Sequence, residues 1–127
     1  MNKWLSIDNY KVKAVPVRHT IPTNAYIIGR KGKYALFTGD TKSTGVVWKK
    51  AAELKKSLKA VFVETAFPNN LLKLAEASGH LVPSTLEKEL KKLGGLKPKI
   101  YIYHIKPEYI RKVKKELSDI KGYKITC

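Results

Sequence analysis

The stretch Lys33-Tyr-Ala-Leu-Phe-Thr-Gly-Asp-Thr41 constrains the fold most, because it carries a short buried strand straight onto a carboxylate. Tyr34 to Phe37 form an apolar, β-compatible run, and Gly39 permits a sharp turn, so Asp40 falls at the carboxyl end of a strand. Layered α/β proteins gather their sites there. A structural reading competes with the functional one: Asp40, Thr41 or Ser43 caps the helix that follows, since Asp, Ser and Thr are preferred caps.

Around this stretch the pattern alternates strands and helices. Residues 10 to 18 read as an edge or bent strand, because Pro16 cannot donate to a sheet ladder. A loop carrying His19 leads to a strand at 24–28, and Gly29-Arg-Lys-Gly32 reads as a hairpin turn into the strand at 34–38. Val47, Ala51, Leu54 and Leu58 recur at helical spacing, which predicts one amphipathic helix over about 43–58. A strand at 60–64 then completes a strand–helix–strand unit with parallel pairing. After a loop and a short helix at 71–77, Ser84-Thr-Leu-Glu87 has the capping-box pattern and predicts a helix start. That helix runs over 84–93 and stops at Gly94-Gly95. A strand at 99–104, a helix over 107–119 opened by Pro107, and a final strand near 123–126 finish the chain.

At 127 residues and 43% hydrophobic, the sequence suits one domain with one core and excludes a disordered chain. A formal charge of +16 favours anionic partners, namely nucleic acid, nucleotides, acidic proteins or an anionic membrane surface, although a solvated Lys-rich surface explains it equally well. The single cysteine, Cys127, excludes a disulfide framework and a cysteine metal cluster and fits a reducing compartment. The opening Met-Asn-Lys-Trp-Leu-Ser-Ile-Asp lacks the apolar core of a signal peptide, and no run approaches the ~18 apolar residues of a membrane span. The expectation is a cytoplasmic protein without membrane contact.

His19, Asp40, His80 and His104 all fall in loops after strands or at strand ends. Singly each histidine reads as a surface or hydrogen-bonded residue. Together with Asp40 they match the nitrogen and oxygen ligands of a hydrolytic zinc or manganese site. Glu64, at the end of a buried strand, is a candidate to orient a histidine.

These residues occur in an ordered set of motifs: Val-x-His19, Asn-Ala-Tyr-Ile-Ile28, Phe-Thr-Gly-Asp-Thr41, Ala-Val-Phe-Val-Glu-Thr-Ala-Phe-Pro-Asn69, Gly-His-Leu-Val-Pro83 and Tyr-Ile-Tyr-His-Ile-Lys-Pro107. The set resembles the C-terminal half of metallo-β-lactamase-fold phosphodiesterases. It looks most like the class II 3′,5′-cyclic-nucleotide phosphodiesterases, with the tRNA 3′-processing endonucleases (RNase Z) sharing the broader pattern. The resemblance implies an α/β fold, half of an αββα sandwich, with a mixed sheet and helices on one face. It implies that His19 and His104 are ligands to two different metals, that Asp40 bridges them, and that His80 faces the scissile phosphate. Two divalent ions, zinc or manganese, would activate water and neutralise charge on the phosphorus oxygens.

The family's upstream His-x-His-x-Asp-His motif does not occur in this sequence. Residues 1–127 are therefore expected to form a single domain equivalent to a C-terminal half, holding metal weakly and inactive without the N-terminal half, which a separate chain could supply in trans. The uncovered sheet face should carry Val61, Val63, Ile100 and Ile102 or their neighbours, and a homodimer through that face is expected. Two other readings stay open: a non-catalytic basic module binding RNA or another polyanion, and a fragment of an RNase Z-like endoribonuclease. Phe67-Pro68-Asn69 and His104-Ile-Lys-Pro107 favour the cyclic-nucleotide branch by resemblance.

Overall fold

Seven strands form one mixed sheet in simple sequence order in the computed structural model, which describes residues 3–127. Met1 and Asn2, the first two residues of the opening segment considered above, lie outside the described residues. The strands are β1 (Leu5–Ile7), β2 (Tyr10–Val17), β3 (Thr23–Arg30), β4 (Lys33–Phe37), β5 (Leu58–Glu64), β6 (Lys99–Tyr103) and β7 (Ile125–Thr126). Strands β1 to β4 pair antiparallel, and β4 to β7 pair parallel. Strand β1 has no counterpart in the sequence reading. It covers only the first residues of β2, up to Val12, so Pro16 lies on the open part of that strand, where a missing N–H disturbs no ladder.

The hairpin between β3 and β4 is tighter than expected. Gly29 pairs with Tyr34 inside the ladder, and the turn is Lys31-Gly32, both at positive φ (52° and 74°). Gly29 serves packing instead, since a Cβ there would lie 2.2 Å from the Tyr34 ring.

Helices α1 (Val46–Ala52), α2 (Leu72–Ser78), α3 (Pro83–Lys91) and α4 (Ile110–Ser118) follow the order expected, with two changed boundaries. Helix α1 ends six residues early. Lys55 takes a positive φ of 53°, and a 3₁₀ turn at Lys55–Ser57 delivers Leu58 as a buried first residue of β5. Helix α3 begins at Pro83, not at the Ser84 capping box. Proline suits the first helical position, and the Thr85 hydroxyl accepts the Val82 N–H at 2.9 Å.

The helices cover one face of the sheet, over a core containing Val15, Ile27, Leu36, Trp48, Val61, Val63, Leu86, Leu90, Ile100 and Val113. Val61, Val63, Ile100 and Ile102 are thus buried at 0–8% exposure, which corrects the expectation that they face outward. The uncovered face carries their neighbours. Phe37, Phe62 and Tyr101 align on β4, β5 and β6 and stack with centroids 4.6 and 4.8 Å apart. Period-two alternation separates the two faces of a strand without saying which of them meets helices. No helix among the described residues is long and apolar enough to cross a membrane.

Candidate metal and hydrolytic site

The sheet's direction gathers the site. Strand β2 runs parallel to β4 because each is antiparallel to β3, and β5 and β6 run parallel to β4. The carboxyl ends of β2, β4, β5 and β6 therefore share one edge, and just beyond them, or at the last residue, come His19, Asp40, Glu64 and His104. His80 arrives on the α2–α3 connection.

Backbone bonds tie these loops to one another. The Lys42 N–H donates to Arg18 O at 2.8 Å, Ala66 to Leu81 O at 3.2 Å, Thr65 to Tyr103 O at 3.2 Å and Lys106 to Ala66 O at 3.1 Å. None of Asp40, Thr41 and Ser43 caps α1, whose N-cap is Gly45 without a side-chain cap. The buried Glu89 carboxylate of α3 holds the approach to α1 instead, accepting the Thr44 N–H at 2.7 Å and the Trp48 indole N–H at 3.1 Å. The carboxylate of Asp40 is thereby left for the site.

One donor atom from each of His19, Asp40 and His80 lies within 4.8 Å of the others. His104 Nε2 is 4.0 Å from Asp40 Oδ1, and its ring centroid is 5.3 Å from that of His80. All four residues singled out in the sequence thus converge. The grouping differs from the expected one: His80 belongs to the tightest triple, while His104, on a left-handed backbone (φ 63°), sits at the more exposed rim.

Two anchors fix the histidines. His19 Nδ1 donates to Gly79 O at 2.8 Å, so its lone pair is on Nε2. His80 Nδ1 lies 3.1 Å from Glu64 Oε1, which also accepts the N–H groups of Thr41 (3.2 Å) and Leu81 (3.1 Å). Glu64, the candidate to orient a histidine, joins three site loops. Gly79 gave no sequence signal beyond a turn, yet a Cβ there would lie 2.3 Å from His19 Nδ1.

The His19–Asp40–His80 triple, or His19 and Asp40 with His104, offers three donors, enough for one divalent ion with an open position and too few for two. The Nδ1 anchoring of His19 and the Glu64 contact of His80 are the outer-shell bonds that metal-ligating imidazoles use. The residues therefore fit a single divalent ion.

Burial pushes Glu64 up to about 8, against the lowering effect of the Thr41 and Leu81 N–H groups, and Oε2 has no hydrogen-bond partner among the described residues. Burial likewise lowers His80 below its ordinary value, opposed by the Asp40 charge. A folded state that holds the Glu64 proton more tightly than the unfolded chain gains stability that is fully present below about 4.5 and lost as pH rises through about 8. With divalent ions chelated, raising the pH from 5 to 8 should destabilise the native protein relative to Glu64→Gln. Urea unfolding of both proteins across that range tests this, and parallel profiles would refute it.

No protein-family model matches the chain. It is 31% identical to a probable 3′,5′-cyclic-nucleotide phosphodiesterase of Yersinia pestis, over 69% of this chain and 31% of that protein. Among solved structures it superposes on the metallo-β-lactamase-fold protein YhfI of Bacillus subtilis with TM-score 0.79 and 12% identity, covering 98% of this chain and 49% of that one. On the short form of human tRNase Z the TM-score is 0.70 at 16% identity, covering 97% and 40%. The chain thus spans about a third of the curated relative's length and less than half of either solved chain. The sheet, helix layer and loop edge superpose on about half of such structures, so the chain has the fold of part of a metallo-β-lactamase-fold protein, and its sequence is similar to part of the Yersinia phosphodiesterase.

Proposed function

We propose that this chain contributes one part of a metal-dependent phosphodiesterase site, with 3′,5′-cyclic nucleotides as its substrates, and that catalysis requires ligands from a complementary N-terminal half. The observation that carries this reading is the convergence of His19, Asp40 and His80 within 4.8 Å, with His104 beside Asp40. The similarity to the Yersinia protein supports the choice of cyclic nucleotide. The aromatic sheet face carrying Phe37, Phe62 and Tyr101 is where the complementary half would pack, since the solved chains are about twice as long as the part matched here.

In this reading His19, Asp40 and His104 would hold metal, zinc or manganese, which would supply Lewis-acid stabilisation of charge on the phosphorus oxygens. Asp40 offers two carboxylate oxygens to the site. Glu64 fixes the His80 ring through Nδ1, so that Nε2 faces the phosphodiester beside the leaving oxygen. Phe67, with its ring 6.0 Å from His80, walls that imidazole on one side.

The test is metal titration together with activity. Calorimetry should show weak zinc binding to the purified chain that falls by about 100-fold or more in Asp40→Ala and His19→Ala, a loss at least as large as outer-shell changes produce. Cyclic AMP hydrolysis should be negligible for the chain alone and appear when an N-terminal half bearing His-x-His-x-Asp-His is added. Robust hydrolysis by the 127-residue chain alone, or zinc affinity indifferent to Asp40, would overturn the proposal.

A further inference from the structure

The end of the sheet remote from the histidines carries a second concavity that the hydrolytic reading leaves unused. We propose that this cleft binds a ligand bearing several adjacent phosphates. It has a volume of about 730 Å³ and lies where β5 and β6 begin, between the turn at Lys55–Ser57, the segment entering β6 and the segment preceding β7. Among the described residues six lysines line it, Lys55, Lys56, Lys59, Lys97, Lys99 and Lys124, and no Asp or Glu does. The length of β5, seven residues at ~3.3 Å each, puts it about 20 Å from Glu64.

Lysines on the outer faces of helices point apart and are individually solvated. These six surround a hollow whose floor includes Leu58, Leu96 and Pro98, and like charges around a low-dielectric wall focus a positive field that draws in multivalent anions. The volume lies within the range of small-ligand sites and suits a compact polyphosphate group. Lys55 holds a left-handed backbone (φ 53°) where glycine or asparagine would be relaxed, which places its side chain at the rim at a conformational cost. Lys97 Nζ lies 4.1 Å from the centre of the Tyr123 ring, a contact that steadies one ammonium group while leaving its charge uncompensated by any carboxylate of the cleft. A triphosphate chain and the backbone of a single-stranded nucleic acid both present closely spaced phosphates, and the grouping of six lysines around one hollow favours the compact form.

Calorimetry and amide NMR with inorganic tripolyphosphate, and separately with a short single-stranded RNA, decide the matter, with chelator present so that no metal at the histidine site contributes. Tripolyphosphate should bind once per chain and shift the amides of Lys97, Gly122 and Tyr123. Replacing Lys59 and Lys97 by Gln should weaken it by about 10- to 100-fold, the worth of one or two charge-assisted hydrogen bonds. A control that removes the same charge from α3, Lys88→Gln with Lys91→Gln, should change affinity less than about threefold, as expected for screened, distant charges. RNA binding in addition, with the same sensitivity to Lys59 and Lys97, would support the cleft as a reader of phosphate runs from either source. Equal losses in both variants, RNA binding without tripolyphosphate binding, or no binding would overturn the proposal.

Discussion

Replacing Glu89 by Ala should destabilise the protein by about 3–5 kcal/mol, the range for removing one partner of a buried charged network. Glu89 is 1% exposed on α3 and accepts from the Thr44 N–H, the Trp48 indole, the Ser43 hydroxyl and the Lys92 ammonium. Lys92 is 41% exposed on its side chain and turns to water when the carboxylate is lost. Thr44 and Trp48 have no such escape: both are buried, and each donor left unpaired costs about 1–3 kcal/mol. Glu89→Gln keeps an acceptor for these two donors and should lose roughly half as much. A total stability of about 5–15 kcal/mol makes the Ala effect plain in urea unfolding. A change below about 1 kcal/mol would show that water replaces the carboxylate without penalty. Zinc affinity should fall alongside stability, because the loop that Glu89 holds begins at Asp40.

This dependence marks what the sequence could and could not disclose. Asp40, His19 and His104 were legible because an apolar run followed by a glycine or a proline-bearing loop identifies a strand end, and parallel strands bring such ends to one edge. Glu64 was legible as a carboxylate closing a buried strand. Glu89 was not: on α3 it reads as one more charged helical residue, and only the packing of α3 against the segment after Asp40 buries it. The end of α1 was equally hidden, since Glu53-Leu-Lys-Lys-Ser57 contains neither glycine nor proline and keeps the apolar spacing through Leu58. Alternation alone does not choose the outward face of the sheet: Val61 and Ile100 enter the core, and their neighbours Phe62 and Tyr101 lie on the uncovered face.

Gly79→Ala should disturb the site more than its single methyl group suggests. Gly79 has a φ of 79°, where an L side chain is strained at a cost of about 1–2 kcal/mol, and the new Cβ would fall 2.3 Å from His19 Nδ1 and 3.1 Å from the Thr20 backbone nitrogen. The imidazole can swing away, but only by giving up its hydrogen bond to Gly79 O and with it the orientation of Nε2. Zinc affinity should therefore drop by about 10- to 100-fold, as for loss of an outer-shell partner, together with a stability loss of about 2–4 kcal/mol from strain and overpacking. A double-mutant cycle separates the two causes. In a His19→Ala background the clash with the ring is gone, so Gly79→Ala should cost only the strain and the Thr20 contact, leaving a coupling energy of about 1 kcal/mol or more between the positions. Additive effects would mean that the ring is not what the glycine accommodates, and unchanged zinc affinity in Gly79→Ala would mean that His19 does not need this carbonyl to present its nitrogen.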